Sequence, residues 1–413
     1  MSSRCRFCHA PLAGTVVDLG LSPVSNQFRS ADRVRNEGQV FYPLVVMVCD
    51  QCWLVQLTDV ETPPHFTDKY IYFSSHSTSW LEHARRYAES MTRRLGLGSR
   101  SLVVEIASND GYLLKNFKQA GVPVLGVEPA ANTAERARAH HGVESIVDFF
   151  GARLAGELAA SGCRADLICG NNVLAHVPDI NDFVAGIPLL LRSNGTVTFE
   201  FPHLLRMISN CQFDTIYHEH YSYLSLLAVE RVLAAHGLAI YGVEELSTHG
   251  GSLRVHAAHA ASGIHDTELA AGRDKVRSDE LAAGLNRVET YARFGDEVVR
   301  RKVDLLAFLI AAKRSGKKVI GYGAPAKGNT LLNYCGIGPE LLAYTVDRSP
   351  AKQSKYLPGV NLLVRAPEEL LADRPDFVLI LPWNLREEIS GQLAEMRGWG
   401  AKFVVAIPEV QVF

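Results

Sequence analysis

Short apolar runs alternate with turns and helical stretches between residues 101 and 201, and this alternation constrains the fold more than any other feature of the chain. A run at 102–106 is followed by a turn, a helix predicted over 112–120 and a second strand at 123–127. Strand and helix patterns that alternate in this way form parallel sheets covered by helices on both faces. The sequence therefore predicts a central Rossmann-like α/β domain.

The strand ends of this domain predict a nucleoside cofactor. Glu128, at the end of the second strand, is able to accept hydrogen bonds from two ribose hydroxyls. The turn after the first strand carries one glycine, Gly111, whereas a dinucleotide fingerprint places three glycines against a pyrophosphate. S-Adenosylmethionine has no phosphate, and a Glu-x-(Gly/Ala)-x-x-x-Gly turn is common in the methyltransferases that use it. We therefore predict this cofactor, and a doubly wound domain without any cofactor is the alternative.

The predicted cofactor site extends to two later segments. Residues 147–150 are placed to cover an adenine, and a strand that begins at Ala165 runs into a polar turn at 171–172. The predicted cofactor-binding residues are Glu105, Ala107, Ser108, Asn109, Glu128, Pro129, Asp148, Phe149, Asn171 and Asn172.

Length and charge limit the remaining possibilities. With 413 residues the chain is long enough for two or three domains. Its 42 basic and 44 acidic residues nearly cancel and form no basic block, which argues against nucleic-acid and anionic-membrane ligands. The N-terminus has no signal-peptide core, and no stretch approaches the roughly 18 apolar residues of a spanning helix. We expect a cytoplasmic monomer that acts on small molecules.

Two Cys-x-x-Cys pairs near the N-terminus predict a structural zinc site. A cytoplasmic location disfavours disulfides, and two such pairs supply the four thiolates of a closed tetrahedral zinc sphere. Redox dithiols or surface cysteines are the alternatives, and His9 is more readily a bystander than a substitute ligand. Between the pairs, 19–23 is predicted as a turn and 41–48 as a strand, so we expect short hairpins that depend on zinc to fold. The predicted metal ligands are Cys5, Cys8, Cys49 and Cys52.

The segment that precedes the central domain is predicted to be helical. Ser77 offers a capping hydroxyl, apolar residues recur at helical spacing over 80–95, and Gly96 ends the run. A tyrosine-rich loop at 70–76 enters this helix, where it serves either as a hydrophobic staple or as a lid over a site.

The densest concentration of polar chemistry is Tyr217-His218-Glu219-His220. If the methyl group of the predicted cofactor goes to a carbon atom, a C–H proton beside a carbonyl group must be removed and the resulting enolate stabilised. A histidine that titrates near neutrality suits the first task, and hydrogen-bond donors suit the second. A metal site is disfavoured because neither Glu-x-x-His nor His-x-x-x-His spacing occurs in the cluster. We expect His218 to have a structural role. His176, which follows a strand, either belongs to the active site or only caps a helix.

The last third of the chain predicts a second Rossmann-like unit. A long amphipathic helical stretch, 274–315, precedes it as a packed linker. Its predicted strands are 317–323, 344–347 and 377–381, with a turn at 324–329 and a helix from Thr330. Free amides at that helix N-terminus, with Lys327 beside them, suit a diphosphate. Binding of NAD and a role in packing alone are the alternatives.

Six motifs, in order along nearly the whole chain, resemble the sugar C-methyltransferases. These enzymes act on nucleotide-linked deoxysugars in antibiotic and cell-surface glycan pathways. The motifs are the paired Cys-x-x-Cys and residues 105–111, 171–178, 217–220, 249–252 and 321–329. The resemblance implies a zinc-binding domain at 1–68, an S-adenosylmethionine domain at 69–272 and a C-terminal Rossmann-like domain at 273–413 that helps to hold the nucleotide sugar. Ala107 departs from the family, which more often has glycine there.

The resemblance also implies roles for individual residues. It assigns His220 as the base, with Tyr217, Glu219, His176 and Tyr72 as its partners. The implied substrate is a nucleotide-linked keto-deoxysugar, namely a 4-keto sugar carried by dTDP and methylated at C3. The substrate-binding residues that follow are Tyr70, Ser252, Tyr322, Ala324, Lys327 and Asn329. A nicotinamide-dependent sugar-nucleotide oxidoreductase and an O- or N-methyltransferase of a related small molecule are the alternatives.

Overall fold

Three β-sheets organise the molecule, and they confirm the predicted α/β class. The structure is a computed structural model that describes residues 4–12, 14–66, 70 and 73–413. A four-stranded sheet lies near the N-terminus, a seven-stranded sheet forms the centre and a six-stranded sheet forms the C-terminal part. Among the described helices, none is both long and apolar enough to cross a lipid bilayer.

The N-terminal sheet is built from antiparallel pairs. Its first elements are β1 (Gly14–Ser22), α1 (Ala31–Asn36), β2 (Tyr42–Val48) and β3 (Val55–Leu57). β1 pairs with β2 and β2 pairs with β3, so the strand predicted at 41–48 is confirmed. The turn predicted at 19–23 is wrong over its first four residues, because buried Leu19 and paired Leu21 extend β1 to Ser22.

The central part of the chain supplies helices and strands in alternation. The helices are α2 (Thr78–Leu95), α3 (Leu114–Gln119), α4 (Ala131–His141), α5 (Ala152–Ala160), α6 (Ile180–Leu190), α7 (Leu204–Ser209) and α8 (Leu226–Ala235). The strands are β4 (Val103–Ile106), β5 (Val124–Val127), β6 (Ser145–Ile146), β7 (Ala165–Asn171), β8 (Leu191–Pro202), β9 (Ser222–Tyr223), β10 (Leu238–Leu246) and β11 (Ser252–His259). Their order across the large sheet is β6-β5-β4-β7-β8-β11-β10, with β9 outside it.

This order places the carboxyl ends of parallel strands along one edge of the sheet. β4 pairs in parallel with β5 and with β7, and β7 pairs in parallel with β8, whereas β11 runs antiparallel to β8. All four residues of β4 are buried, Glu105 among them, as expected for a central strand covered on both faces. Ligands of doubly wound sheets bind at this edge, beside the strand where the order reverses.

The two capping residues set the ends of α2 where the sequence predicts them. Ser77 Oγ accepts a hydrogen bond from the N–H of Trp80 at 3.3 Å, and Gly96 ends the helix with a left-handed φ of 60°. The predicted helix is therefore confirmed. α3 begins two residues later than predicted, because Tyr112 and Leu113 continue the turn that follows β4.

β9 belongs to the N-terminal sheet although it lies far along the chain. Residues 55 and 56 of β3 pair with Tyr223 and Ser222 of β9. Residues 215–221, which we name the catalytic segment after the role predicted for them, come directly before β9, so the N-terminal sheet fixes one end of this segment. A two-residue strand carries no measurable periodicity, and the sequence therefore does not predict this pairing.

Three helices connect the central and C-terminal sheets. They are α9 (Thr267–Ala282), α10 (Val288–Ala292) and α11 (Phe294–Arg314). The helical stretch predicted over 274–315 is confirmed in type, but it is divided into three helices, and Gly284 takes a left-handed φ of 77° just after α9. Beyond this break, Tyr291 and Phe294 are buried in a core shared with the N-terminal and C-terminal sheets.

The C-terminal sheet is a second doubly wound unit. Its strands are β12 (Val319–Tyr322), β13 (Thr345–Val346), β14 (Val364–Arg365), β15 (Phe377–Ile380), β16 (Lys402–Val405) and β17 (Gln411–Val412). Its helices are α12 (Ala326–Cys335), α13 (Glu368–Asp373) and α14 (Arg386–Gln392). The order is β14-β13-β12-β15-β16-β17, and only β17 is antiparallel to its neighbour. α12 begins four residues before the predicted Thr330, because Pro325 starts it with a φ of −78°.

Candidate active site

Four cysteine sulfurs meet beside the N-terminal sheet. The Sγ atoms of the four predicted ligands all lie within 4.8 Å of one another. The Sγ atoms of Cys5 and Cys52 are 3.5 Å apart, as are those of Cys8 and Cys49. A tetrahedral Zn²⁺ ion with Zn–S bonds of about 2.3 Å fits such a cluster. The residues present therefore fit a structural zinc ion, and His9 stands outside the cluster.

Gln56 connects this cluster to the catalytic segment. Its Nε2 donates to Cys5 Sγ at 3.2 Å, and its Oε1 accepts from the N–H of Arg6 at 2.8 Å. Gln56 is fully buried in β3, where it lies opposite Ser222 of β9. One pair of strands thus separates the zinc ligands from the residues that follow His220.

Left-handed residues shape the turn that follows β4. Ala107, Asn109 and Gly111 have φ values of 58°, 48° and 76°. The N–H groups of Asn109 and Ala130 donate to the two oxygens of Glu128, each at 2.9 Å. These bonds fix the Glu128 carboxylate at the edge where the ribose of an adenosine ligand is expected, and burial raises its pKa.

Polar side chains without partners line the same edge. The side-chain amide of Asn171, at the end of β7, is buried and has no hydrogen-bond partner among the described residues. One side-chain oxygen of Asp110 and the side-chain oxygen of Asn172 are also buried atoms without a hydrogen-bond partner among the described residues. Buried polar groups rarely stay unsatisfied, so these atoms mark a site for a polar ligand. They fit S-adenosylmethionine, which offers amino, carboxylate and hydroxyl groups. Beneath them, burial raises the pKa of Glu105 well above its ordinary value.

The other predicted cofactor residues differ in their exposure. Phe149 is 63% exposed, whereas Asp148 and Pro129 are half-buried. Arg153 lies 2.6 Å from Asp148, and its hydrogen bond lowers the pKa of that carboxyl. Ser108 is fully buried, and its hydroxyl meets that of a serine in β6 at 3.2 Å, so its side chain is directed into the sheet.

Replacing Ala107 with glycine is expected to raise the free energy of unfolding. A left-handed alanine costs about 1–2 kcal/mol, which exceeds the about 0.5–1 kcal/mol of extra backbone entropy that a glycine loses on folding. Urea unfolding measures the difference. Ala130→Gly is the matched control, because Ala130 has a φ of −85° and its replacement is expected to destabilise the protein. A lower unfolding free energy for Ala107→Gly would contradict the backbone argument.

His220 and Tyr217 form a hydrogen-bonded pair in the catalytic segment. His220 Nδ1 lies 2.8 Å from the carbonyl oxygen of Thr215, which only accepts, so Nδ1 carries the proton. Nε2 is then the acceptor for the hydroxyl of Tyr217, 2.7 Å away. Burial lowers the pKa of His220 well below its ordinary value, with the nearby His176 as a further cause. The imidazole is therefore neutral near pH 7 and has the lone pair that a base needs. The expectation of a histidine that titrates near neutrality is wrong, because burial disfavours the charged imidazolium and lowers the pKa of His220.

His176 and two aromatic residues border this pair. The ring of His176 stands 4.6 Å from that of His220, and burial lowers the pKa of His176 to about 4. Phe66 lies 5.8 Å from His176 and 5.3 Å from Tyr70. The carbonyl oxygen of Tyr70 accepts from Asn132 of α4 at 2.8 Å, which places Tyr70 between the histidines and the cofactor edge. The predicted partner at position 72 lies outside the described residues.

Glu219 and His218 point toward different partners. Burial raises the pKa of Glu219 to about 7, and its Oε1 accepts from Asn26 Nδ2 at 2.6 Å. His218 is directed into the N-terminal sheet, where its Nε2 donates to the carbonyl oxygen of Pro43 at 3.2 Å and its ring meets that of Tyr42 edge-on. Residues 217–220 form a turn, with the N–H of His220 donating to the carbonyl oxygen of Tyr217 at 2.9 Å, so Glu219 and His218 reach different neighbours.

The C-terminal unit reaches the site through Lys327. The Nζ atom of Lys327 donates to Asn384 Oδ1 at 2.9 Å and lies 4.7 Å from the centre of the Trp383 ring. Burial lowers the pKa of Lys327, and the charge of Asp214 opposes that shift. Trp383 Nε1 donates to Asp214 Oδ2 at 2.7 Å, while burial raises the pKa of Asp214 to about 6. Asp214 precedes Thr215, so this contact joins the C-terminal unit to the catalytic segment.

The remaining predicted substrate residues surround the same junction. Ser252 begins β11, and its hydroxyl donates to a carbonyl oxygen of the preceding turn at 3.0 Å. Tyr322 and Ala324 are buried at the end of β12, where the N–H of Ala324 donates to Asp347 at 2.7 Å. Asn329 is fully buried in the first turn of α12, and its side-chain amide has no partner among the described residues.

Four residues that sequence reasoning missed join this arrangement: Asn26, Asp214, His249 and Trp383. His249 has a left-handed φ of 54°, stands edge-on to Trp80 at 5.1 Å, and has its pKa lowered by burial to about 4. It occurs in one of the motifs that carry the family resemblance, which is the one signal that points to it. The other three are isolated in the sequence and belong to no spacing pattern.

Replacing Trp383 with phenylalanine is expected to lower stability by about 1–3 kcal/mol, because the buried Asp214 carboxyl loses its hydrogen-bond donor. The folded-state pKa of Asp214 is raised, so ionisation of this group penalises the folded state. The loss is therefore smallest at acid pH and grows as pH rises through about 6. Urea unfolding from pH 5 to 8 measures it. Trp399→Phe, which removes a bond to a backbone carbonyl, is the control and is expected to show no such pH dependence.

The strand order, the acidic residue after β5 and the unsatisfied polar edge define the class, an S-adenosylmethionine-dependent methyltransferase. Comparisons with protein families agree. A model described as "C-methyltransferase C-terminal domain" matches residues 247–408, and one described as "Methyltransferase domain" matches 80–243. A third, for a zinc binding domain, matches residues 5–66.

Comparisons with individual proteins identify the family. C-methyltransferase NovU from Streptomyces niveus is 36% identical over 408 residues, which cover 99% of this chain and 96% of that protein. A ubiquinone biosynthesis O-methyltransferase from Bartonella quintana is 28% identical over 23% of this chain and 38% of that protein. Among solved structures, magnesium protoporphyrin IX methyltransferase from Synechocystis PCC 6803 with bound SAM is 16% identical, covers 44% of this chain and 81% of that chain, and has a TM-score of 0.33. The chain belongs to the C-methyltransferase family, with S-adenosylmethionine and zinc as its cofactors.

Proposed function

We propose that the chain methylates C3 of a 4-keto deoxysugar carried by dTDP. The observation that carries the proposal is the Tyr217–His220 pair, a neutral imidazole whose Nε2 accepts from a phenol at 2.7 Å. A proton acceptor beside a hydroxyl donor is what enolisation of a ketone requires. NovU, the relative named above, is itself described as a C-methyltransferase.

The two residues divide the proton chemistry between them. The Tyr217 hydroxyl turns from His220 to the ketone oxygen at C4, where it stabilises the developing enolate. Nε2 of His220 is then free to accept the proton from C3. The carbonyl of Thr215 holds the resulting imidazolium through Nδ1–H. S-Adenosylmethionine, when bound beside Glu128, supplies the electrophilic methyl group for the enolate carbon.

The surrounding side chains hold the sugar and keep water out. His176 is neutral at pH 7 and offers a buried Nδ1 that has no partner among the described residues. The Glu219 backbone is hydrogen-bonded to His176, and Phe66 contacts both His176 and Tyr70, so we assign Glu219 and the loop that bears Tyr70 to the sugar. Orientation of the reacting carbon is expected to contribute more than any single contact, because methyl transfer requires in-line geometry.

Lys327 and the start of α12 are assigned to the diphosphate of the nucleotide. The first N–H groups of a helix lack partners within the helix and attract anions. Burial disfavours the charged form of Lys327 and so lowers its pKa. The negative charge of a bound diphosphate stabilises the protonated ammonium group and so raises this pKa again. The unsatisfied amide of Asn329, two residues further along, supports a polar ligand at the same turn.

The decisive experiment is an assay with a panel of 4-keto sugar nucleotides in deuterated water. We expect deuterium to enter C3 without S-adenosylmethionine, and a methyl group to appear at C3 when the cofactor is added. Exchange without the cofactor isolates the base step from methyl transfer. Methyl transfer onto oxygen or nitrogen, with no exchange at carbon in any substrate of the panel, would overturn the proposal.

A further inference from the structure

Asn26 lies in the loop after β1, yet its side chain reaches the catalytic segment. Its Nδ2 donates to Glu219 Oε1 at 2.6 Å, across 193 positions of sequence. Asn26 is half-buried, whereas Glu219 is only 3% exposed. The zinc-bearing sheet therefore touches the site with a side chain, in addition to pairing with β9.

The loop that carries Asn26 also borders the C-terminal unit. Ser25 is buried, and its hydroxyl has no partner among the described residues. Two residues beyond Asn26, the ring of Phe28 lies 5.7 Å from the Nζ atom of Lys352. That ammonium group donates to the carbonyl oxygen of Ala324 at 3.0 Å. The loop thus stands between the residues assigned to the sugar and those assigned to the nucleotide.

We propose that Asn26 is a positioning residue of the active site, which holds Glu219 so that the pair binds a hydroxyl or amino substituent of the sugar ring. The inference rests on the proposed function, because it gives Glu219 a sugar to bind. An amide that donates one N–H keeps a second N–H and a carbonyl oxygen for a ligand, and the carboxylate keeps its other oxygen. The donors and acceptors of this amide and this carboxylate are adjacent, so they are able to hydrogen-bond to neighbouring polar groups on one sugar ring. A site built in this way discriminates strongly against sugars that lack the substituent.

The charge at Glu219 supports this role. Burial raises the pKa of Glu219 to about 7, and the hydrogen bond from Asn26 opposes that shift. The charge of Glu219 in turn helps to raise the pKa of Tyr221. Two titratable side chains are in contact with residue 219: Tyr221, which feels the charge of Glu219, and His176, which is hydrogen-bonded to the Glu219 backbone. Among the causes of the Glu219 shift, Asn26 is the one that stabilises the ionised form.

Asn26→Ala in the full-length, zinc-loaded protein tests the proposal. Infrared titration, with Glu219→Gln subtracted, follows the carboxylate directly. The pKa of Glu219 is expected to rise above its wild-type value, because the donor that stabilises the anion is gone. The KM for the accepted sugar nucleotide is expected to rise about tenfold or more, since a buried polar partner is left unpaired, while S-adenosylmethionine affinity stays unchanged. Asn26→Asp, a variant of nearly the same shape, should also raise this pKa by placing a like charge beside Glu219.

Asn36→Ala is the matched control. Asn36 lies at the exposed end of α1 in the same part of the chain, where it donates to Asp32 at 2.7 Å. Its replacement should leave the Glu219 titration, KM and zinc content as they are. Thermal unfolding and zinc analysis of every variant exclude a misfolded loop.

The outcomes separate this proposal from the proposed function. An Asn26→Ala titration identical to wild type would end the proposal whatever the substrate, because that measurement needs no sugar. A shifted titration with unchanged KM and unchanged preference among sugars would also overturn the role in substrate binding. A wild-type protein that methylates no 4-keto sugar nucleotide would instead remove the proposed function, and the titration alone would then decide the Asn26–Glu219 contact.

Discussion

Replacing His220 with asparagine is expected to lower kcat by about 10³- to 10⁴-fold, the upper range for loss of a general base. Asparagine keeps an N–H donor for the carbonyl of Thr215 but has no acceptor at the position of Nε2. The cofactor edge, at the carboxyl ends of β4, β5 and β7, is not touched by the change. The affinity for S-adenosylmethionine, measured by calorimetry, is therefore expected to stay within about twofold, a difference below 0.5 kcal/mol.

His218→Asn is the matched control for this variant, because it makes the same substitution two positions away. The His218 imidazole is bonded to Pro43 in the N-terminal sheet, so its replacement should change stability more than turnover. Deuterium exchange at the substrate carbon should fall with methyl transfer in His220→Asn, since both steps need the base. Wild-type turnover in that variant would remove His220 from its assigned role.

Tyr217→Phe separates the donor from the base. Loss of one donor to a developing oxyanion costs about 10²- to 10³-fold in kcat. The variant also frees Nε2 of His220 from its bond to the phenol. Exchange at carbon is therefore expected to fall by less than in His220→Asn. An equal or larger loss of exchange in Tyr217→Phe would indicate that the phenol itself removes the proton.

The elements predicted from sequence are those that local patterns determine. An apolar run of four or five residues determines β4, and the Ser77 and Gly96 caps determine α2. The metal cluster was also predictable, because four thiolates in two pairs have few other uses in one short segment. The apolar run and the helix caps lie within a few residues of the elements that they predict. The cysteine pairs are themselves the predicted metal ligands.

The residues that were missed depend on contacts between distant segments. Asp214 and Trp383 are 169 positions apart, and each is an ordinary residue until the C-terminal unit packs on the catalytic segment. The pairing of β3 with β9 is equally remote, since two residues in each strand suffice for it. Family resemblance indicated the histidine and tyrosine cluster, but not the N-terminal loop that holds Glu219. A single sequence gives no measure of which distant segments meet, so tertiary packing decides these contacts.

Removing zinc is expected to abolish methyl transfer while S-adenosylmethionine binding persists. The N-terminal sheet shares its core with the C-terminal unit, but the cysteine cluster also ties the segment before β1 to the turn between β2 and β3. A structural zinc ion contributes about 10–16 kcal/mol of apparent binding free energy in zinc-finger peptides. Gln56 bonds to Cys5 Sγ and pairs with β9, so loss of the metal releases the strand that follows His220. Asn26 and its bond to Glu219 are lost with the same sheet. The cofactor edge belongs to the central sheet, where β4 and α3 pack in a core cluster that contains no described residue of the N-terminal sheet.

Cys49→Ser tests this coupling without a chelator. Cys49 is buried in the cluster, and its replacement leaves three thiolates. We expect zinc content to fall, a low-temperature unfolding transition to appear by calorimetry, and kcat to drop about as far as in His220→Asn. Cys163→Ser is the control, because Cys163 is half-buried and lies outside the cluster. Because the zinc ligands contact no reacting atom, a Cys49→Ser protein that loses zinc yet keeps its turnover would show that β9 and the Asn26 loop hold the catalytic segment without the metal.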